Sequence, residues 1–199
     1  DPPAFGFEVT YLGHLHDEPL PLPADAPNDY EFENKVTGGR IPTEYIPSCD
    51  KGFQSARGKG PLAGFEIVRV KMLLEDGTHH TVDSSDLAFQ VCARDAFIDA
   101  FRRARPALLE PIVKVEVEAP IEYQGNVVGD LSSRRGIILG AETKQNFVIV
   151  QAEVPLGKMF GYATDLRSAT QGKGTFSMEF ACYRQTPRDV QEEVIANRR

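Results

Sequence analysis

Val113-Lys114-Val115-Glu116-Val117-Glu118 alternates apolar and charged residues over six positions. Side chains of an extended chain point to opposite faces with period two, so this run predicts a strand with one face in a core and the other in water. Downstream, a helical stretch around Val127, Val128 and Leu131 ends at Arg134, Arg135 and Gly136. Cations and a flexible residue suit a helix C-terminus. Strands are expected at residues 137–141 and 147–154, a helix from about Lys158 to Ser168, and a last strand from Thr175 to Tyr183 with Phe176, Met178, Phe180 and Cys182 on one face. This order is βαββαβ. With right-handed crossovers it gives a four-stranded antiparallel sheet with both helices on one face, the ferredoxin-like arrangement. The charged tail from Pro187 to Arg199 reads as a weak helix or a frayed end.

Upstream, Phe89, Ala93, Ala96, Phe97, Ala100, Phe101 and Ala104 fall at steps of four and three, with Arg94, Asp95, Asp99, Arg102 and Arg103 mostly off that stripe. The spacing predicts an amphipathic helix whose aromatics are core, a rod of about 30 Å. Asp83 or Ser84 is expected to cap it, and Pro106 to stop it. Glu110-Pro111 is the expected domain boundary. Before the helix come a strand at residues 5–12, a Pro-rich acidic connection at 18–28 unsuited to a regular ladder, and a strand at 30–36 stopped by Gly38-Gly39. Then follow a short helix at 47–57, a turn at 60–64, and a strand at 65–74 with Val68 and Val70 on one face and Ile67 and Arg69 on the other. Asp76-Gly77 turns the chain into Thr78-His79-His80.

At 199 residues with 41% apolar content, the chain has material for two small domains with compact cores. The net charge of −7 is unevenly spread: residues 1–33 hold eight acids and no Lys or Arg, whereas residues 34–71 hold seven bases against three acids. A local RNA-facing surface is therefore compatible with an acidic protein. Cys49, Cys92 and Cys182 are odd in number and scattered, which argues against a disulfide scaffold or a zinc site and for a reducing compartment. No apolar run long enough to span a membrane and no signal-peptide pattern is present, so a cytoplasmic location is expected.

No phosphate loop, dinucleotide fingerprint, nucleophile elbow or HExxH motif occurs, so no catalytic residue and no metal site is assigned. His14-Leu15-His16 reads as a solvated strand end rather than a metal pair, since no ligand set surrounds it. Cys49, in the first turn of a helix, and Cys92, within an apolar helical pattern, lack an orienting base and acid. His79 and His80 lie between a strand and a capped helix, at the exposed end of a rod. Solvated imidazoles and imidazoles that stack on bases or bond to 2′-OH groups both fit that pattern.

The runs KVTGGRIPTEYIPSCDKGFQSA, GKGPLAGFEIVRVKMLL, DGTHHTVDSSDLAFQVCARDAF, LLEPIVKVEVEAP, GDLSSRRGIILG and AEVPLGKMFGYATDLRS closely resemble the last two domains of bacterial-type elongation factor G, from about Phe5 to Pro187. The resemblance implies an α+β chain of two domains: residues 1–110 as the fourth domain, ribosomal-protein-S5-like with a left-handed βαβ crossover, and residues 111–187 as the fifth, ferredoxin-like, with 188–199 as a tail. It implies a mechanical role in tRNA–mRNA translocation, the fourth domain occupying the ribosomal A site in the decoding region of the small subunit. His80 matches the family's tip histidine. His79, Thr78 and Thr81 share its loop, and Gly38, Gly39 and the 58–64 turn with Arg57 and Lys59 resemble neighbouring segments of the tip. Arg134 and Arg135 are the expected ribosomal RNA contacts of the fifth domain, at the stalk base and sarcin–ricin region.

The resemblance implies no cofactor for this stretch, GTP and magnesium being bound by an N-terminal domain of a longer, monomeric parent GTPase, and no membrane partner. Two departures stand out: the Gly-rich loop usual before the first strand is missing where the chain begins Asp1-Pro2-Pro3, and Thr81 replaces a commoner acid. A piece of a longer protein explains the first. A paralogue acting in ribosome recycling, or a ribosome-protection factor, is the alternative; comparing translocation with subunit splitting separates recycling from elongation.

Overall fold

The computed structural model describes residues 6–11, 22–23, 30–104 and 106–198, with side chains from residue 30 onward. The expectations at residues 14–16 and over most of 18–28 lie outside them. In chain order the elements are β1 (Gly6–Tyr11), β2 (Leu22–Pro23), β3 (Tyr30–Asn34), α1 (Ile46–Arg57), β4 (Val70–Asp76), α2 (Asp86–Arg103), β5 (Leu109–Pro120), α3 (Gln124–Ser133), β6 (Ile137–Lys144), β7 (Phe147–Pro155), α4 (Tyr162–Ala169), β8 (Thr175–Gln185) and α5 (Arg188–Asn197). The chain is α+β and divides into two compact units. One holds β1, β3, α1, β4, α2 and α5; the other holds β2 and everything from β5 to β8.

In the first unit the sheet order is β1-β4-β3, with β1 antiparallel and β3 parallel to β4. A parallel pair needs a crossover, and α1 supplies it. Val70, Met72 and Leu74 turn one sheet face toward Phe53, Phe89, Ala93 and Phe97 of the two helices, forming one buried cluster. On the other face Lys71 bonds Glu31 and Glu33 at 2.7 and 2.9 Å. The helices touch most closely at Gly52, where an added Cβ would lie 2.4 Å from the Gln90 carbonyl oxygen and 2.9 Å from Ala93 Cβ.

Two local expectations are corrected by the structure, and for the tail the helical alternative is the one found. The strand expected from Phe65 starts only at Val70, because Arg69 sits at φ +59°, outside the extended region. The cap of α2 is Ser85, whose hydroxyl accepts from the Ala88 N–H at 3.1 Å; Ser84 is used elsewhere. The tail is helix α5, and its Arg198 returns to the first unit, bonding the Ala63 carbonyl at 3.3 Å and covering the Phe65 ring at 4.0 Å.

The second unit is a wholly antiparallel sheet of order β2-β8-β5-β7-β6. Without β2 it has the expected βαββαβ order. Val113, Val115, Val117, Val148, Val150, Ala152 and Val154 pack under Val127, Leu131, Tyr162 and Leu166 of α3 and α4. The alternation of the opening six residues is thus a true two-face pattern. The Pro-rich connection does contribute a ladder, two residues of β2 paired with Tyr183 and Cys182; an edge strand tolerates a proline because one side of it needs no donor.

Glu110-Pro111 is not a linker. It lies inside β5, where Pro111 pairs with Tyr183 of β8 while pairing with β7 begins at Ile112. The units part between Ala107 and Leu108. A bulge near Ala181 also overturns the single apolar face expected for β8: Val113 faces Phe180, yet its neighbour Ile112 faces Cys182, so Cys182 points the opposite way.

Candidate nucleic-acid interface

Parallel pairing of β3 with β4 brings the loops that follow both strands to one end of the first unit. Asn34 lies beside Leu74, and the Lys35 N–H donates to the Leu74 carbonyl at 2.8 Å. The β3 loop then turns through Gly38 and Gly39 at φ +69° and +67°, a region open to glycine at little cost. Arg40 Nη1 reaches back to Asp76 Oδ2 at the end of β4. Both helices start at this end as well, where buried Ser48 of α1 donates to Asp86 of α2 at 2.6 Å.

The Thr78–Ser85 loop is braced internally. The His80 N–H donates to Ser84 Oγ at 2.8 Å, the Ser84 N–H returns to the His80 carbonyl at 3.0 Å, and the Val82 N–H donates to His80 Nδ1 at 3.4 Å. With Nδ1 accepting, a neutral ring carries its proton on Nε2. The His80 ring is 70% exposed, and Asp83 lies 3.5 Å from Nδ1. Thr78, His79 and Thr81 are exposed alongside it. This tip offers imidazole faces, hydroxyls and an N–H donor, with Arg40 already matched to Asp76. Such a set suits base edges and 2′-OH groups better than a phosphate backbone, which asks for unpaired cations.

His79, His80, Thr78, Thr81, Gly38 and Gly39 therefore belong to one end. Arg57 and Lys59 do not. They follow α1, which carries the chain about 18 Å back toward the start of β4. There Arg57 pairs with Glu66 at 2.7 Å and lies over the Tyr30 ring at 5.2 Å. The resemblance groups them with the tip, and α1 separates them from it. Ser84, which closes the tip turn, and the Arg40–Asp76 and Ser48–Asp86 ties were missed; the doubled Ser84-Ser85 before a helix is the one local signal that a second hydroxyl had another use.

In the second unit Arg134 and Arg135 are committed internally. Arg134 is 13% exposed and bonds Asp130, Asp165 and, at 2.6 Å, the Lys158 carbonyl, with its guanidinium 5.1 Å over the Tyr162 ring. Arg135 makes a two-pronged pair with Glu110. Neither is presented to solvent as an unpaired phosphate ligand.

Cys49 is fully buried, and burial foremost, with Cys92 nearby, pushes its thiol up to about 12; burial also raises that of Cys92. Raised thiols are poor nucleophiles at neutral pH. Among the described residues no group of three or more His, Cys, Asp or Glu side chains is placed to hold a metal ion, and no helix is long and apolar enough to cross a membrane.

Comparison with known proteins fits this division. The family model for elongation factor G, domain IV, matches residues 18–105, and that for the elongation factor G C-terminus matches residues 107–194. Elongation factor G of Rhodopirellula baltica is 50% identical over 186 residues, covering 94% of this chain and 27% of that protein. Elongation factor G 1 of Syntrophus aciditrophicus is 51% identical over 190 residues, covering 96% and 26%. A crystal structure from Thermus thermophilus superposes with a TM-score of 0.74 at 41% identity, over 87% of this chain and 26% of that one. The chain thus spans about a quarter of the length of the relatives it matches, and by these matches it belongs to the elongation factor G family.

Proposed function

We propose that this chain is the ribosome-engaging end of a translational GTPase, in which the first unit enters the ribosomal A site on the small subunit and biases the tRNA–mRNA pair against slipping back during translocation, while the second unit binds large-subunit RNA. The observation that carries the reading is the braced Thr78–Ser85 loop, which holds the Nε2 edge of His80 outward at the end of a stiff helix–sheet sandwich. A fixed donor discriminates between positions of an RNA duplex only if its support does not yield, and the fused helix N-termini supply that support. GTP and magnesium belong to an N-terminal domain of the longer parent, whose binding and hydrolysis supply the driving force.

The test is kinetic. In the parent carrying this chain, His80→Ala is expected to slow translocation while leaving ribosome-stimulated GTP hydrolysis close to normal. Equal losses in both rates contradict the assigned role.

A further inference from the structure

The loops after β3 and β4 begin side by side but are built differently. In the first, the Val36 N–H donates to Asn34 Oδ1 at 3.0 Å and Ile41 is buried in the core, so residues 37–40 hang between two fixed points. Gly38 and Gly39 stand in that span at positive φ, and a Cβ added to either would meet nothing within 4 Å. Two adjacent glycines in open space leave the backbone its widest conformational freedom. A contact from outside the span must choose its path.

Asp76, the last residue of β4, supplies that contact. Its Oδ1 accepts at 2.8 Å from the N–H of Gly77, where the His80 loop starts, and its Oδ2 accepts at 2.5 Å from Arg40 Nη1. Among the described residues this is the one side-chain hydrogen bond or ion pair joining residues 37–41 to residues 76–85. Gly77 is buried, which fixes its end of the joint. The two side chains are 65% and 46% exposed, and a pair so exposed adds little to global stability. Its consequence is positional. A guanidinium held by a carboxylate is also withheld from phosphate, which binds unpaired cations.

We infer that Asp76 is a positioning residue for the tip: through Arg40 it fixes the Gly38-Gly39 turn against the His80 loop, so that both meet the tRNA–mRNA pair in one arrangement. The inference deepens the translocation reading above and rests on it. The experiment is a double-mutant cycle in the parent carrying this chain, with translocation rate followed against factor concentration. Asp76→Asn keeps an acceptor for the Gly77 N–H and removes the charge, and Arg40→Gln removes the other half of the pair. Each is expected to slow translocation at saturation roughly 1.4- to 5-fold, the span of an exposed pair, and the double variant to be no slower than either single. The half-saturating concentration and ribosome-stimulated GTP hydrolysis should stay at wild-type values. Arg40→Lys, which keeps the charge, should retain most of the rate. Unchanged denaturation midpoints verify that every variant folds.

A loss in Arg40→Gln with a raised half-saturating concentration, and none in Asp76→Asn, makes Arg40 a direct phosphate ligand and overturns the joint. Losses that add in the double variant overturn it as well, since they mean separate roles. Wild-type rates in both singles and the double, beside a slowed His80→Ala, remove the joint while leaving the translocation reading standing. A wild-type parent that engages ribosomes but does not move the tRNA–mRNA pair defeats both.

Discussion

The guanidinium of Arg135 meets both carboxylate oxygens of Glu110 across 25 residues of chain, from the C-terminus of α3 to the start of β5. Arg135 also sits at φ +65°. Its N–H bonds the Ser132 carbonyl at 3.1 Å and the Gly136 N–H bonds the Leu131 carbonyl at 2.9 Å, the paired closure that ends helices on a left-handed residue, usually glycine. An arginine at that position carries backbone strain that its ion pair offsets.

The two contributions separate by mutation. Glu110→Ala should cost roughly 1–3 kcal/mol, because a charge-assisted two-pronged bond is lost and a half-buried guanidinium is left behind. Arg135→Gly alone should be close to neutral, losing the pair while relieving the backbone. In the Glu110→Ala background only the relief remains, so Arg135→Gly should there stabilise by about 1 kcal/mol. Urea denaturation of the four species gives the cycle; no stabilisation by Arg135→Gly in the Glu110→Ala background would show that the strain is absent.

Gly52→Ala tests the contact between α1 and α2. In an exposed helix that exchange is favourable by about 1 kcal/mol. Here the new methyl meets a backbone carbonyl and a neighbouring Cβ, both in helices that cannot yield locally. A net loss of about 1–3 kcal/mol is expected, the usual range for overpacking, read as a lowered denaturation midpoint with an unchanged slope.

Much of the architecture was legible because its signals are local. The Val113–Glu118 alternation and the Phe89, Ala93, Phe97 spacing specify their faces by period alone, and both sets lie in the cores so specified. What escaped is non-local. Arg134 and Arg135 read as free cations because their partners Asp165 and Glu110 lie 31 and 25 residues away. Resemblance groups Arg57 and Lys59 with the tip, yet they stand at the other end of α1. Gly52 carries no turn signal, since its role is close approach rather than conformation. His80 is singled out by resemblance alone, and nothing in its spacing distinguishes a braced ring from a solvated one.

Ser84→Ala addresses that bracing. Losing the hydroxyl removes the acceptor for the His80 N–H, an exposed bond, so global stability should fall by no more than about 1 kcal/mol. The loop, however, loses the closure that fixes the imidazole. The parent protein carrying Ser84→Ala should therefore translocate more slowly with nearly normal stability, and Ser84→Thr, which keeps the hydroxyl, should restore the rate. Failure of threonine to rescue, with the fold intact, would point away from the hydroxyl.

Tyr162 carries the clearest pH signature in the second unit. Its ring is fully buried and its hydroxyl, alone among the described buried side-chain atoms, has no hydrogen-bond partner. Burial above all, then repulsion from Asp130, raises its pKa well beyond the ordinary tyrosine value, with Arg134 opposing. Tyr30 is raised in the same sense by burial and by its 2.5 Å bond to Asp50. The folded state thus keeps protons that the unfolded chain releases near pH 10. Stability from this source is whole below about pH 10 and declines as pH rises further toward the folded-state values, by at most about 1.4 kcal/mol per pH unit for each group. In an ultraviolet titration, at least two of the six tyrosines should stay un-ionised until the protein unfolds. Tyr162→Phe deletes both the titration and an unsatisfied hydroxyl. It should leave the protein as stable or up to about 1 kcal/mol more stable at pH 7, and should flatten the alkaline limb of the stability curve. A steep limb persisting in that variant and vanishing only in Tyr30→Phe would assign the alkaline sensitivity to the first unit instead.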